Sequence, residues 1–382
     1  MKKELELYIH IPFCVRKCAY CDFLSGPQND ETIEKYADML IQEISAHGRL
    51  YGDRLITTIF FGGGTPSILS GEQMERIMKT LKEKFVVSSD AEISMEANPG
   101  TVTKEKLESY KKAGINRISF GLQSANNEDL KILGRIHTYE EFLESYNMAR
   151  ECGFDNNNVD LISAIPKQTL KGWEESLNKI IKLNPEHISA YSLIIEEGTP
   201  FFELYGEGAK RENELPDEEE ERIIYHRTET LLNQAGYHRY EISNYAKPGK
   251  ECRHNLGYWE RKDYLGIGLG AASLVNNVRF RNTCDLDYYL QHASTLTDIQ
   301  EEKESLSQIE QMEEFIFLGL RKMQGISTNE FEKTFGKTIQ ECYGKNIDRM
   351  RKEKLIEMNG DCLKLTKKGI DISNYVFTEI LS

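Results

Sequence analysis

The sequence predicts an α/β fold, a partial (β/α)6 barrel joined to a smaller C-terminal α+β domain. Two observations carry this. Between Leu5 and Val275, short β-rich runs alternate with helical stretches, a pattern that implies βαβ units and a parallel sheet. Beyond a polar stretch from about His292 to Gln308, the pattern changes to clustered helices and two short strands. The 382 residues allow two or three domains of roughly 150 residues, or one large barrel that takes most of the chain.

The first run, Leu5–Ile11, follows two lysines, but Glu4, Glu6 and His10 interrupt any apolar stretch. It reads as a strand and not as a signal peptide. Five more strands are expected at Ile56–Phe61, Ala91–Glu96, Arg117–Leu122, Asn158–Ile162 and Ile188–Ile194. Helices are expected between them at Glu31–Arg49, Gly71–Phe85, Lys104–Ala113, Tyr139–Cys152 and Leu170–Leu183. In a barrel of this kind the active site lies at the carboxyl ends of the strands, in the loops that follow them. A further helix at Pro216–Gln234 opens with the charge run Asp217–Glu221, a solvated first turn that suits the helix dipole.

The stretch from His292 to Gln308, with its run Glu301–Glu304, reads as a linker. Helices at Gln308–Met323, Thr328–Phe335 and Thr338–Lys352 follow, then strands at Leu355–Met358 and Cys362–Leu365 around a turn at Asn359–Asp361. This is a winged-helix-like pattern. The expected domains are residues 1–290 and 305–382. From Ser305 onward there are 12 basic and 12 acidic residues, so the wing lacks the basic surplus of a DNA binder and reads as a structural or partner-docking unit.

Composition narrows the class. Hydrophobic residues make up 39% and charged residues 29% of the chain, as in a globular protein. The net charge of −14 argues against a general nucleic-acid binder. No stretch approaches the roughly 18 apolar residues of a membrane span. Of the eight cysteines, Cys14, Cys18 and Cys21 crowd together, while Cys152, Cys252, Cys284, Cys342 and Cys362 are scattered. That is unlike a secreted disulfide scaffold and points to a cytoplasmic protein with a metal or redox site.

The loop after the first strand reads Cys14-Val-Arg-Lys-Cys18-Ala-Tyr-Cys21. Three thiolates at this spacing can hold three irons of a [4Fe–4S] cluster, which normally uses four cysteines. The next cysteine is Cys152, so one iron would stay open to a small ligand. The competing assignment is zinc, which prefers four ligands in paired C-x2-C clusters. No second pair exists, and His10, which could complete such a site, sits within the strand. The triplet, Tyr20 before its last cysteine, and its place after the first strand resemble the radical S-adenosylmethionine (SAM) superfamily. That resemblance implies a radical SAM barrel. The open iron would bind the amino and carboxylate groups of SAM, and an electron from the cluster would cleave the sulfonium to methionine and a 5′-deoxyadenosyl radical.

Polar groups recur at the later strand ends. Phe60-Phe61-Gly62-Gly63-Gly64-Thr65-Pro66 resembles the superfamily's glycine motif for the SAM amino group, with Gly63, Gly64 and Thr65 as its candidate residues. Glu96 ends the third strand, Gln123 the fourth, and Asp160 lies on the fifth, with Arg135 in Leu133-Gly-Arg-Ile-His137. Singly, each is as readily structural as functional. Together they place polar groups at one rim. The phrases YIHIPFC, FFGGGTPS, MEANPGT, SFGLQS, LGRIH and NVDLI resemble the branch that contains oxygen-independent coproporphyrinogen III oxidase and its relatives. By that resemblance Tyr8 flanks the cluster, and Glu96, Gln123, Arg135 and Asp160 contact SAM. One departure is Ser163-Ala164-Ile165-Pro166, where the family more often has a glycine-leucine-proline turn.

Within the branch, two functions compete. The oxidase decarboxylates two propionates of coproporphyrinogen III; a haem chaperone subgroup binds haem and passes it on. The oxidase motif has another cysteine two positions beyond the third, where this chain has Phe23, and a long amino-terminal arm, whereas here the first strand starts almost at once. Arg253-His254-Asn255-Leu256-Gly257-Tyr258-Trp259 matches the chaperone pattern H-N-x-x-Y-W. His254 would ligate the haem iron, Tyr258 and Trp259 lie against the macrocycle, and Arg253 meet a propionate. The alternative is a packed histidine with no ligand, and Cys252 reads as a bystander. The resemblance thus favours a haem chaperone carrying a [4Fe–4S] cluster and SAM, with haem as cargo. Its partners would be a haem-accepting protein of the respiratory class, with no nucleic acid and no stable membrane span; a homodimer is compatible with it.

Overall fold

The computed structural model describes residues 2–381. Six parallel strands, β1 (Glu4–Ile11), β2 (Leu55–Gly63), β3 (Val86–Ala97), β4 (Arg117–Gln123), β5 (Asn157–Ser163) and β6 (His187–Ser192), stand side by side in chain order. Helices α1 (Asp30–Tyr51), α2 (Gly71–Lys84), α3 (Lys104–Ala113), α4 (Asn127–Ile132), α5 (Tyr139–Glu151) and α6 (Leu170–Leu183) connect them. Then come α7 (Pro200–Tyr205), α8 (Glu218–Gln234), β7 (His238–Arg239), β8 (Asn244–Ala246) and α9 (Arg253–Trp259). Strand β6 pairs with β8 and not with β1, so the barrel is open, as the alternation predicts. Beyond β1 the sheet continues through β9 (Tyr264–Ile267), β10 (Ala272–Val275), β11 (Val278–Asn282) and β12 (Gln300–Ser305).

Two expectations need correction. The stretch read as a linker contains a helical turn at Leu296–Ile299 and the edge strand β12, antiparallel to β11. Its charge run hides the strand because both faces are solvated; Arg281 pairs with Glu302 and Arg279 stands opposite Glu304. Charged side chains on an exposed edge also discourage pairing with another chain. The first helix of the C-terminal region ends at Gly319, short of Met323. The other two helices form at Thr328–Phe335 and Ile339–Lys352, and strands Ile356–Asn359 and Cys362–Leu365 make the hairpin. A short strand, Ile326–Ser327, completes this sheet, and helices Lys367–Asp371 and Ser373–Leu381 follow. Met312, Ile316, Phe331, Ile347, Leu363 and Phe377 belong to a core separate from that of the barrel.

The strand pattern sets the two faces of the barrel. Leu5, Leu7, Ile9 and Ile11 of β1, Phe61 of β2, Ile93 and Met95 of β3, and Phe120 of β4 pack in the core beneath the helices. The alternate positions point inward and are mostly polar. Glu6, Thr58 and Glu92 share one cross-strand row at the amino-terminal end. Helix α9 closes that end. Its first backbone N–H groups, at Arg253 and His254, donate to the Glu92 carboxylate at 3.1 and 3.3 Å. Gly257 lies against Glu6, where a Cβ would come within 2.1 Å of the carboxylate.

Glu6 is the unsatisfied member of this floor. It is 1% exposed, and neither carboxylate oxygen has a hydrogen-bond partner. Burial raises its pKa from 4.5 to about 8, against the pull of Lys262. Because the folded value lies above the unfolded one, its contribution to stability is complete below pH 4.5 and is lost as pH rises through 8. Urea unfolding of wild type and Glu6→Gln across this range should show the wild type losing ground with rising pH, by at most about 1.4 kcal/mol per pH unit. Parallel curves would mean that Glu6 is ionised in the folded protein.

Candidate functional site

At the carboxyl ends of the strands lies a cavity of about 1610 Å³. The cysteine loop and the ends of β2–β6 form one side of it, and the first turn of α8, Arg321 and residues 370–374 form the other. Cys14, Cys18, Cys21, Tyr20, Gly63, Gly64, Thr65, Glu96, Gln123, Arg135 and Asp160 all line it. Eleven residues expected from sequence at one rim therefore meet around one space.

The cysteine loop is fixed by backbone. Cys14 N–H donates to Gly26 O at 3.1 Å, Gly26 N–H to Pro12 O at 3.0 Å, and Ala19 N–H to Leu133 O at 3.3 Å. The three thiols are free, Cys14 buried and the other two half-buried. Burial pushes the Cys14 and Cys21 thiols up. Among the described residues no three metal-ligating side chains converge on a single-ion site; the three thiols line one wall of the cavity. His10 is no fourth ligand, since its ring nitrogens lie 3.0 Å from Tyr8 Oη and 3.1 Å from Leu24 O. Tyr8 stacks on Phe60 below the cavity and reaches the cysteine loop only through His10.

The glycine turn supports this loop. Gly64 N–H donates to Ile11 O at 2.9 Å, and a Cβ on Gly64 would lie 2.5 Å from Phe13 O. Gly63 adopts φ +118° beside His10. These glycines are required by close backbone packing as well as by any ligand. Gly63 N–H donates to Glu96 at 3.2 Å. Thr65 accepts from Asn98 Nδ2 at 2.7 Å, and Arg135 donates to Asn98 Oδ1 at 2.6 Å and to Cys18 Sγ at 3.4 Å. Asn98 thus links the glycine turn to the cysteine wall. Sequence reasoning missed it, although it stands two residues after Glu96 in the same strand-end phrase. Tyr20 packs edge-on against Phe201.

Electrostatics prepare the far wall for a cation. Burial, with the Asp160 charge adding to it, raises Glu96 from 4.5 to about 8. Burial also raises Asp160, against hydrogen bonds from Ser119 at 2.9 Å and Asn158 at 2.7 Å. Gln123 holds φ +73° at its strand end, a conformation few side chains adopt without compensation. Arg135 keeps a buried Nε with no partner. Three thiols on one wall, an arginine with unused donor capacity and two acids facing the same space fit a multi-iron cluster beside a zwitterionic, cationic ligand.

The second motif lies elsewhere. His254 is 1% exposed at the barrel floor and stacks on Phe60. Its Nδ1 is 2.7 Å from Thr58 Oγ1 and its Nε2 is 3.0 Å from Tyr258 Oη. Burial lowers its pKa to about 3, so it is neutral. In this structure it is a packed, hydrogen-bonded imidazole and not one open to a ligand. Tyr258 packs edge-on against Tyr264, Trp259 lies against the Arg321 guanidinium, and Asn255 is half-buried in α9. Arg253 donates to Asp90 O, and Cys252 is buried against Glu92.

Residues 8–180 match the Radical SAM superfamily and residues 306–372 the HemN C-terminal domain. Heme chaperone HemW of Lactococcus lactis is 35% identical over 100% of this chain and 98% of its own. The Bacillus subtilis HemW is 36% identical over 98% of each chain. The Escherichia coli HemW is 43% identical over 71% of this chain and 70% of its own. Among solved structures, coproporphyrinogen III oxidase (HemN) from Escherichia coli, described as a radical SAM enzyme, superposes with a TM-score of 0.87 at 25% identity, covering 100% of this chain and 91% of its own.

The departure at Ser163-Ala164-Ile165-Pro166 has a structural cost. Ala164 holds φ +60° where glycine would be unstrained. Ala164→Gly should raise the thermal midpoint, the gain in stability being about 1 kcal/mol or less because glycine loses more entropy on folding. A lower midpoint would show that the buried methyl matters more than the strain.

Proposed function

The chain belongs to the heme chaperone HemW family of radical SAM proteins, and from that premise we propose that it binds haem and delivers it to an acceptor protein. The observation that carries this is similarity to HemW proteins along the whole chain, at 35% and 36% identity, against 25% for the oxidase. In this reading Cys14, Cys18 and Cys21 hold a [4Fe–4S] cluster, and SAM lies between it and the strand ends. When bound, the cluster supplies a Lewis-acidic iron with one open position and an electron donor. Arg135 meets the SAM carboxylate, Gly63 and Gly64 present backbone groups to its amino end, and Glu96 and Asp160 face the sulfonium and ribose. Gln123 completes the rim.

The second reading, coproporphyrinogen oxidation, is favoured by the shared fold. The charge of the cavity opposes it. Leaving out Glu96, whose pKa is raised to about 8, the lining among the described residues carries eight acidic and five basic side chains. A porphyrinogen with four carboxylates is repelled by that surplus; haem, with two propionates and a cationic ferric centre, is repelled less. His254 and the rest of its motif act in this proposal by closing the barrel floor, because both ring nitrogens already have partners. The eight free cysteines accord with a cytoplasmic setting and a reducing environment. The acceptor is a haem protein of the respiratory class.

Anaerobic reconstitution should give brown protein with about four irons per chain, lost in Cys14→Ala, Cys18→Ala or Cys21→Ala. Haemin titration should shift the Soret band, and coproporphyrinogen III with SAM and a reductant should remain unconverted. Formation of protoporphyrinogen would replace the chaperone reading with the oxidase.

A further inference from the structure

We propose that Arg321 is the carboxylate anchor of the outer part of the cavity and holds one propionate of the cargo porphyrin. The inference rests on the haem reading above and assigns that cargo a binding group. Arg321 follows the helix Gln308–Gly319, and its turn is tied to the barrel side by a backbone bridge between Glu241 and Lys322 and by Met323 N–H donating to Tyr240 O at 3.0 Å. Its guanidinium lies against two rings, 5.3 Å from Trp259 of the barrel side and 5.2 Å from Phe377 of the C-terminal side. Contacts with two rings restrict the guanidinium without using its hydrogen-bond donors.

Those donors lack an acceptor. Nε is buried without a partner, and no carboxylate lies within ion-pair distance among the described residues. The nearby Glu241 carboxylate attracts the guanidinium without a hydrogen bond to it and accepts from Ser243 N–H at 3.1 Å. The other cations of the cavity each already have at least one acceptor, although Arg135 also keeps an unpartnered Nε on the cysteine wall. Arg16 donates to Gly134 O, Lys17 to Phe23 O and Arg135 to Asn98, while Arg222 pairs with Glu219. A buried guanidinium N–H with nothing to bind is costly, and a carboxylate matches its planar fork with two parallel hydrogen bonds. The same cavity is also lined by Ile194, Tyr225, Ile242 and Ile372, surfaces that suit a flat macrocycle. The acids nearby are largely satisfied: Asp371 pairs with His226, Glu221 accepts from Ser192, and Asp217 caps α8. They still favour a ligand that brings one carboxylate to this lobe over one that brings several.

The test titrates haemin and haemin dimethyl ester into the full-length protein, as wild type, Arg321→Gln and Arg321→Lys, with thermal melts to confirm folding. Wild type should bind haemin at least about tenfold more tightly than Arg321→Gln does, Arg321→Lys should recover part of the loss, and the ester should bind wild type and Arg321→Gln alike. If Arg321→Gln does not fold, wild type alone decides by preferring the acid to the ester. Equal affinity of wild type for acid and ester, or undiminished haemin binding by folded Arg321→Gln, overturns the anchor. Wild type that binds neither porphyrin overturns the haem reading itself, and the anchor with it.

Discussion

The polar inner face of the parallel barrel governs the rest of the structure. Parallel sheets usually bury apolar side chains on both faces. Here the inner positions of β1–β5 carry Glu6, Thr58, Glu92, Arg117, Asn158 and Asp160, and each buried polar group needs a partner. The floor is partnered by α9, whose N–H groups meet Glu92 and whose His254 meets Thr58, and only Glu6 there stays without a hydrogen bond among these three row residues. The middle is partnered by its own network, in which Asn158 bonds Ser119, Ser189, Asp160 and His187, and His187 bonds Tyr240. At the mouth the strand ends meet the cavity, and Glu96, Asp160 and Arg135 retain unmet electrostatic demand. A ligand site results where the supply of internal partners stops.

The cavity belongs to both parts of the chain. The barrel contributes the thiols and the strand ends; the C-terminal region contributes Arg321 and residues 370–374. Trp259 and Phe377, one from each part, clasp the same guanidinium. The winged-helix-like unit, which carries no basic surplus, thereby completes a small-molecule chamber. Its place as a wall explains why α9 carries aromatic residues after its histidine: His254 and Tyr258 seal the floor, and Trp259 reaches the junction.

Fold alone does not separate the chaperone from the oxidase, since the two superpose over nearly all of both chains. In the proposed haem reading, an acid-rich wall beside Arg321 would select by the number of carboxylates a porphyrin carries and by the charge at its centre.

The rim of the site was legible in the sequence because a βαβ repeat leaves little choice: parallel strands in chain order must bring their carboxyl ends together. Cys14, Gly63, Glu96, Gln123 and Asp160 therefore meet although more than a hundred residues separate the first from the last. The role of His254 was not legible, because its sequence context is equally that of a ligand and of a packed residue. Only folding α9 onto β1–β3 gives both ring nitrogens partners. Asn98 and Arg321 were missed for the same reason: their meaning lies in neighbours drawn from distant segments. Local sequence determined which groups stand at the strand ends; tertiary packing decided which were satisfied internally and which were left for a ligand, because hydrogen-bond and charge satisfaction are properties of the assembled neighbourhood.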